Sequence, residues 1–246
     1  MIRDYTTTLT QKDQLTRNIW RFVFSLEKGE SIDFIAGQYM LLKINDSYRQ
    51  YSISSPAYQK ESFELIVELI SGGLASTYLK DLAVGGAAYF KGPAGVFTLN
   101  HSEKNKIFLA TGTGIAPMKS MIETSLHGDD VLSDKPDLYL LFGLKTKQDM
   151  YLYEEFRQLA SQHTRFHFFI CLSRAEDLNG LDPRYSRIGR VNKYLNDQFV
   201  EGFSPQTLND NEYYVCGSRL IVDSLRDFLT SLGINREDVF FENFTV

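Results

Sequence analysis

Cysteine is nearly absent: Cys171 and Cys216 are the two in 246 residues. Two thiols cannot supply the thiolates of a plant-type two-iron, two-sulfur cluster or an all-cysteine structural zinc site, and they rule out a small disulfide scaffold. The four histidines, His101, His127, His163 and His167, include no HExxH pair, so no metal site is expected. Basic charge is also short. Lys and Arg number 26 against 31 Asp and Glu, a net charge of −5, and no Lys/Arg-rich run occurs. That argues against nucleic acid or an anionic membrane as the main partner. Long apolar runs are missing as well. The most apolar stretch, Phe166 to Leu172, falls far short of the roughly 20 residues a membrane-spanning helix needs. Met1 to Tyr5 contains no apolar h-region, so a cytoplasmic chain without a signal peptide is the expectation.

What is present is the composition of an ordinary globular protein, 43% hydrophobic and 23% charged, long enough for one large domain or two modest ones. Its charge is unevenly spread. Residues 1–101 carry ten groups of each sign, and the remainder carries sixteen basic against twenty-one acidic. The texture changes at the same place. Up to about Asn100, short β-type runs stand between turn residues: Ile19 to Leu26, Tyr39 to Ile44, Arg49 to Ser54, Phe63 to Ile70 and Ala87 to Lys91. This predicts an antiparallel barrel or sandwich. One short helix interrupts it after Gly73, with Leu79 and Leu82 three apart and a serine as possible cap.

The polar segment Asn100 to Lys106 reads as a linker, giving domains of 1–101 and 102–246. Beyond it, apolar runs alternate with helical patterns. Runs at Ile107 to Ala110, Leu138 to Phe142, Phe166 to Leu172 and Tyr213 to Val215 are separated by helices at Pro117 to Leu126 and Met150 to Leu159 and by a polar loop from Ser173 to Arg190. Such alternation predicts α/β units around a mainly parallel sheet. The last helix, Ser218 to Leu232, has an apolar stripe of Leu220, Ile221, Leu225, Phe228, Leu229 and Leu232, and Gly233 suits the left-handed position that ends it.

Five short segments have residues suited to chemistry. Arg49-Gln50-Tyr51-Ser52 lies in a predicted strand, where period-2 alternation puts Arg49 and Tyr51 on one face, a guanidinium for a phosphate beside a ring for an aromatic ligand. A solvated strand face with one packed aromatic reads the same way. Gly72-Gly73-Leu74-Ala75-Ser76-Thr77 enters the short helix, whose free amides suit an anion; a plain turn fits equally. Thr111-Gly112-Thr113-Gly114-Ile115-Ala116-Pro117 follows a strand and opens a helix, the expected place for a nucleotide pyrophosphate. It is not GxGxxG, since Pro117 stands at the third glycine, a good first-turn residue. Cys216-Gly217-Ser218 repeats the strand–Gly–helix pattern, with a thiol that is a small buried apolar group by default. The tail Phe240 to Phe244 has the form of an edge strand, with Glu242 out of place among aromatics unless it faces a site.

In order and spacing these segments resemble the ferredoxin–NADP+ reductase family of flavoenzymes: RxYS, GGxxS, GPxGxF (Gly92 to Phe97), GTGxxP, LSR (Leu172-Ser173-Arg174), CG and a terminal ExF, over residues 49 to 244. The resemblance implies an N-terminal antiparallel β-barrel binding FAD and a C-terminal α/β domain binding a nicotinamide dinucleotide. It assigns Arg49 and the stretch Gly73 to Thr77 to the FAD diphosphate, with Tyr51 against the isoalloxazine. Gly112, Thr113 and Gly114 go to the dinucleotide pyrophosphate. Ser52, Cys216 and Glu242 match the polar residues around flavin N5 and nicotinamide C4, and Phe244 matches the aromatic on the flavin face. Strict alternation points Ser52 away from Tyr51, so a bend or a backbone contact is needed.

Three positions depart from the family pattern: Phe244 where a tyrosine often stands, Gly86 where an aspartate usually precedes GPxGxF, and Glu68 to Ser71 where a basic residue usually precedes GGxxS. Ser173 and Arg174, with Arg184, Arg187 and Arg190 following, point to NADP(H), with NAD(H) the alternative. The expected activity is hydride transfer between the coenzyme and flavin N5, coupled to single-electron exchange with a separate carrier such as ferredoxin or flavodoxin. The alternatives are a reductase component of an oxygenase, a free-flavin or quinone reductase, and a non-enzymatic flavin-bearing or nucleotide-sensing subunit.

Overall fold

Alternation of inward apolar and outward polar residues builds the first half of the chain in the computed structural model, which describes residues 2–128, 135–196 and 205–244. The chain forms two compact units, residues 1–100 with 116–127, and residues 101–115 with 128–246.

The first unit is an antiparallel sheet of β1 (Arg3–Gln14), β2 (Ile19–Leu26), β3 (Tyr39–Ile44), β4 (Ser47–Ser52), β5 (Ser62–Glu68) and β6 (Ala87–Ala94), in the order β4-β3-β6-β1-β2-β5. Its edges meet. Just past β4, Ile53 bridges to Leu65 of β5 and Ser54 N donates to Glu64 O at 2.8 Å, closing the barrel. Phe24, Phe63 and Phe90 interlock edge to face inside it, with centroids 4.8 and 5.0 Å apart. Strand β1 is absent from the sequence reading because its inward face holds only Tyr5, Thr7 and Leu9 amid polar residues. Thr7 is tolerated there because its hydroxyl donates to Ala88 O at 2.9 Å.

Helix α1 (Leu74–Asp81) buries Ala75 and Leu79. Its N-cap is Gly73 with no side-chain cap, contrary to the expected serine cap; Ser76 Oγ instead accepts from Ile70 N at 2.8 Å. At its other end Lys12 Nζ donates to Lys80 O at 2.6 Å and Leu82 O at 2.9 Å, satisfying carbonyls the helix leaves unpaired.

Helix α2 (Ile115–Leu126) groups with the barrel from residue 116 on. The contact is polar and buried. Lys119 Nζ lies 3.2 Å from Glu64 Oε1 and 3.0 Å from Glu123 Oε1, Ser120 Oγ donates to Ser55 O at 2.6 Å, and Ala57 N donates to Thr124 Oγ1 at 2.8 Å. A buried ion pair gains little over apolar packing, yet losing one partner is costly.

The second unit is a parallel sheet of β7 (Asn105–Thr111), β8 (Leu138–Leu144), β9 (Phe166–Leu172), β10 (Ser186–Ile188), β11 (Asn211–Ser218) and β12 (Val239–Phe244), in the order β10-β9-β8-β7-β11-β12. Strand β10 lies inside the segment expected as a polar loop. Helix α3 (Tyr153–Gln162) sets Phe156 against Phe166 and Phe168. On the other face α4 (Val191–Asn196) and α5 (Arg219–Ser231) pack Val191, Leu195, Val222, Leu225 and Leu229 on Ile107, Leu109 and Val215. The stripe of α5 therefore starts at Val222; Leu220 is 84% exposed and Ile221 is exposed too. Gly233, at φ 78°, completes the end of α5, with Gly233 N donating to Thr230 O and Ile234 N to Leu229 O.

The expected linker also needs correction, because Lys106 is buried in β7. Its ammonium lies 2.7 Å from Glu212 Oε2, and Ser102 Oγ and Tyr214 OH donate to the same carboxylate at 2.7 and 2.9 Å. Burial pushes the Glu212 carboxyl up, but the hydrogen bonds from Lys106, Ser102 and Tyr214 outweigh it and leave the carboxyl below its ordinary value. Its contribution to stability is thus full above the unfolded carboxyl value and is lost as pH falls through the folded one. Glu212→Gln should cost about 3 kcal/mol at neutral pH by stranding the Lys106 ammonium. In urea titrations the gap from wild type should close as the solution is acidified below the ordinary carboxyl range; an undiminished gap in acid would contradict this account.

Candidate functional site

In the barrel, β4 carries Arg49 and Gln50 exposed, Tyr51 half-buried and Ser52 buried. Alternation gives Arg49 and Tyr51 a common face. Tyr51 rests one side on the barrel core, and Arg49 donates to the Tyr48 carbonyl at 2.9 Å. Burial pushes the Tyr51 phenol up to about 12, with Arg49 drawing it slightly back, so the hydroxyl is protonated at neutral pH. Ser52 ends the strand, directly before the Ile53–Leu65 bridge of the closing seam.

That bridge is antiparallel, so going back from Ile53 to Arg49 and forward from Leu65 to Leu69 leads to one end of the seam. The glycine pair follows there. Gly72, at φ 76°, turns the chain, Gly73 caps α1, and Leu74, Ser76 and Thr77 form the first turn with buried Ala75 beneath. Ser76 Oγ accepts the Ile70 amide and keeps its own proton to donate. A guanidinium, the amides of a helix N-terminus and a hydroxyl proton together can hold a diphosphate. The glycine at 86 has a local cause: a Cβ there would lie 2.9 Å from Ala83 O.

In the sheet unit, β7 is the strand from which the order reverses, with β8 to β10 on one side and β11 and β12 on the other. The crevice at the carboxyl ends of β7 and β11 is the expected ligand position in such a sheet. Two glycines interlock there. A Cβ on Gly114 would stand 2.3 Å from Cys216 O, and one on Gly217 would stand 2.3 Å from Thr111 Oγ1. Gly112 to Gly114 form a single 3-10 turn leading into α2, with Pro117 buried in the first turn of that helix. Tyr151, which sequence reasoning placed inside a helix, stands before α3 and donates from its hydroxyl to Gly112 O at 2.8 Å. A tyrosine within an apolar run gave no signal of this.

Cys216 pairs in register with Glu242 on β12, and Ser218 with Phe244; Glu242 and Phe244 are half-buried. Phe241, on the opposite face, is covered by the Arg226 guanidinium at 3.7 Å. Ser173 and Arg174 lie exposed at the end of β9, two strands from β7. Ser173 Oγ donates to Leu144 O at 3.2 Å, and Arg174 borders a depression of about 240 Å³ with Thr146, Lys147 and Asp177. Of the other arginines expected to add charge there, Arg184 is paired with Asp182 at 2.7 Å and Arg187 stacks on Phe169 at 4.2 Å.

Burial pushes the Cys216 thiol well above its ordinary value and Glu242 pushes it further, against a smaller opposing pull from the Gly217 amide. Burial likewise takes Cys171 up to about 12. Both thiols are inaccessible and protonated. The native protein should therefore show no fast-reacting thiol towards a disulfide reagent at about pH 8, and two after unfolding; one rapid equivalent in the native state would overturn the placement of Cys216.

Comparison with known proteins agrees with this geometry. Residues 6–99 match the oxidoreductase FAD-binding domain family and residues 108–227 the oxidoreductase NAD-binding domain family. Ferredoxin–NADP reductase B of Sorangium cellulosum is 29% identical over 228 residues, 90% of this chain and 89% of that protein. The toluate 1,2-dioxygenase electron transfer component of Pseudomonas putida is 26% identical over 246 residues, 98% of this chain and 67% of the relative. A solved structure of an Amycolatopsis cytochrome P450 reductase is similar at TM-score 0.84 and 27% identity, over 100% of this chain and 71% of that one. With an antiparallel barrel matching an FAD-binding domain and a parallel sheet matching an NAD-binding domain, the chain belongs to the ferredoxin reductase-like family of FAD-dependent oxidoreductases.

Proposed function

We propose that the protein moves reducing equivalents between a nicotinamide coenzyme and a separate one-electron carrier. The observation that bears most weight is the glycine loop at the reversal point of the parallel sheet, next to strands that carry Cys216 and Glu242 near their carboxyl ends. When bound, FAD supplies the ability to take hydride from the nicotinamide and to release electrons singly. The protein's part is binding, orientation and control of protons and water.

In the barrel, Arg49, Gln50 and the first turn of α1 from Gly73 to Thr77 would hold the FAD diphosphate. Tyr51 would offer its open ring face to the isoalloxazine, its phenol staying neutral. Ser52 would give a hydrogen bond at the reactive edge of that ring. In the sheet unit, Thr111 to Gly114 would hold the coenzyme pyrophosphate on backbone amides, with Pro117 starting the helix without wasting a donor. Gly217 lets β11 approach Thr111 closely, the Glu242 carboxyl would face the nicotinamide with the protonated Cys216 thiol packed beneath that site, and Phe244 would supply an aromatic surface to the flavin.

Ser173 and Arg174 favour NADP(H) over NAD(H), because a 2′-phosphate needs a cation and a hydroxyl at that strand end. The carrier is a ferredoxin or a flavodoxin. The likeness to an oxygenase electron transfer component supports a second reading, a reductase that feeds an oxygenase. Among the described residues no helix is long and apolar enough to cross a membrane, and two unpaired thiols suit the reducing cytoplasm.

Stopped-flow mixing of the purified flavoprotein with NADPH and with NADH, then with candidate carriers, tests the proposal. NADPH should bleach the flavin faster. Arg174→Ala should raise the apparent Kd for NADPH by about tenfold or more, the worth of a charge-assisted phosphate contact, with NADH nearly unchanged. Equal losses with both coenzymes would remove Arg174 from the 2′-phosphate role, and a flavin that neither coenzyme bleaches would sink the proposal.

A further inference from the structure

We infer that Tyr151 is a positioning residue that sets which way the first peptide of the glycine loop faces, and so whether the loop offers a donor or an acceptor to a pyrophosphate. The inference rests on the pyrophosphate reading of residues 112–114 and concerns a residue outside that loop. Tyr151 is 5% exposed, its ring meeting Phe142 edge-on with centroids 5.2 Å apart. Its hydroxyl donates to Gly112 O at 2.8 Å, and the same carbonyl accepts the amide of Ile115. Two donors thus hold one oxygen.

A trans peptide is planar, with its carbonyl and the following N–H pointing opposite ways. Drawing Gly112 O towards Tyr151 therefore turns the Thr113 N–H to the other side, where an anion is attracted. The flipped peptide would present an oxygen there and repel it. Gly112 does not choose by itself. It sits at φ 51°, in the left-handed region that glycine enters without a side-chain penalty, so its own backbone preference does not select one orientation of this peptide. The constraint comes from hydrogen bonds to its carbonyl: Ile115 N within the turn, and Tyr151, the donor from outside the loop.

The chain around Tyr151 is bent to this end. Leu152 stands at φ 62° and ψ 4°, a left-handed conformation that L side chains other than Asn and Asp adopt rarely, and it is buried as the N-cap of α3. This turn separates Tyr151 from the helix that begins at Tyr153, so the ring lies under the loop instead of following the helical face. A conformation this unfavourable persists where its surroundings over-determine it.

Tyr151→Phe removes the hydroxyl and keeps the ring, so folding is preserved. Calorimetric titration of the FAD-loaded protein would compare NADP+, which carries a pyrophosphate, with adenosine 2′-monophosphate, which does not. The expected result is a Kd for NADP+ raised about fivefold, the size of one neutral hydrogen bond. The Kd for adenosine 2′-monophosphate and the flavin spectrum should be unchanged. An unaltered NADP+ affinity, or an equal loss for both ligands, overturns the positioning role. Failure of the wild type itself to bind NADP+ overturns the pyrophosphate reading, and the inference with it.

Discussion

The second unit depends on a place where two backbones come too close for a side chain. At the carboxyl ends of β7 and β11, Gly114 and the Cys216 carbonyl share space that a single Cβ would fill, and Gly217 does the same against Thr111. Because the Gly114 contact is backbone on backbone, it cannot be relaxed by a rotamer change, whereas Gly217 meets the Thr111 side chain. It brings the glycine turn, the thiol and, through the β11–β12 register, the Glu242 carboxyl to one end of one sheet. Everything proposed about coenzyme chemistry starts from that juxtaposition.

The barrel solves a different problem with similar means. Its sheet closes where Ile53 meets Leu65, and the same seam leads to both the Arg49 face and the glycine pair before α1. Lys12 fixes the far end of α1 by capping its carbonyls, so the open amides lie at the end where anion binding is proposed. Helix α2 begins where the glycine turn of the second unit ends and is held on the barrel by Lys119, Ser120 and Thr124.

Where pattern and burial coincide, the sequence was readable. Strands β2, β3 and β9 keep the limits expected from their apolar spacing, and the Gly112–Gly114 turn was legible because strand and helix patterns flank it. Polar residues with buried partners hid the rest. Thr7 in β1 and Lys106 in β7 look solvent-facing until Ala88 O and Glu212 are seen to satisfy them. The stripe of α5 was misplaced at its start because Leu220 and Ile221 are apolar but face outward, leaving Val222 to begin the buried row. Tyr151 was invisible for a further reason: its role depends on a left-handed Leu152, and nothing in leucine announces that conformation.

The central claim is that the Gly114–Cys216 approach builds the dinucleotide site. Titrating NADP+ into FAD-loaded Gly114→Ala, with flavin absorbance and melting temperature recorded alongside, tests it most directly. The account predicts that FAD stays bound to the barrel while affinity for NADP+ falls by about two orders of magnitude or more, since the added methyl forces the loop off β11. Unchanged NADP+ affinity in a folded, flavin-loaded variant would contradict it.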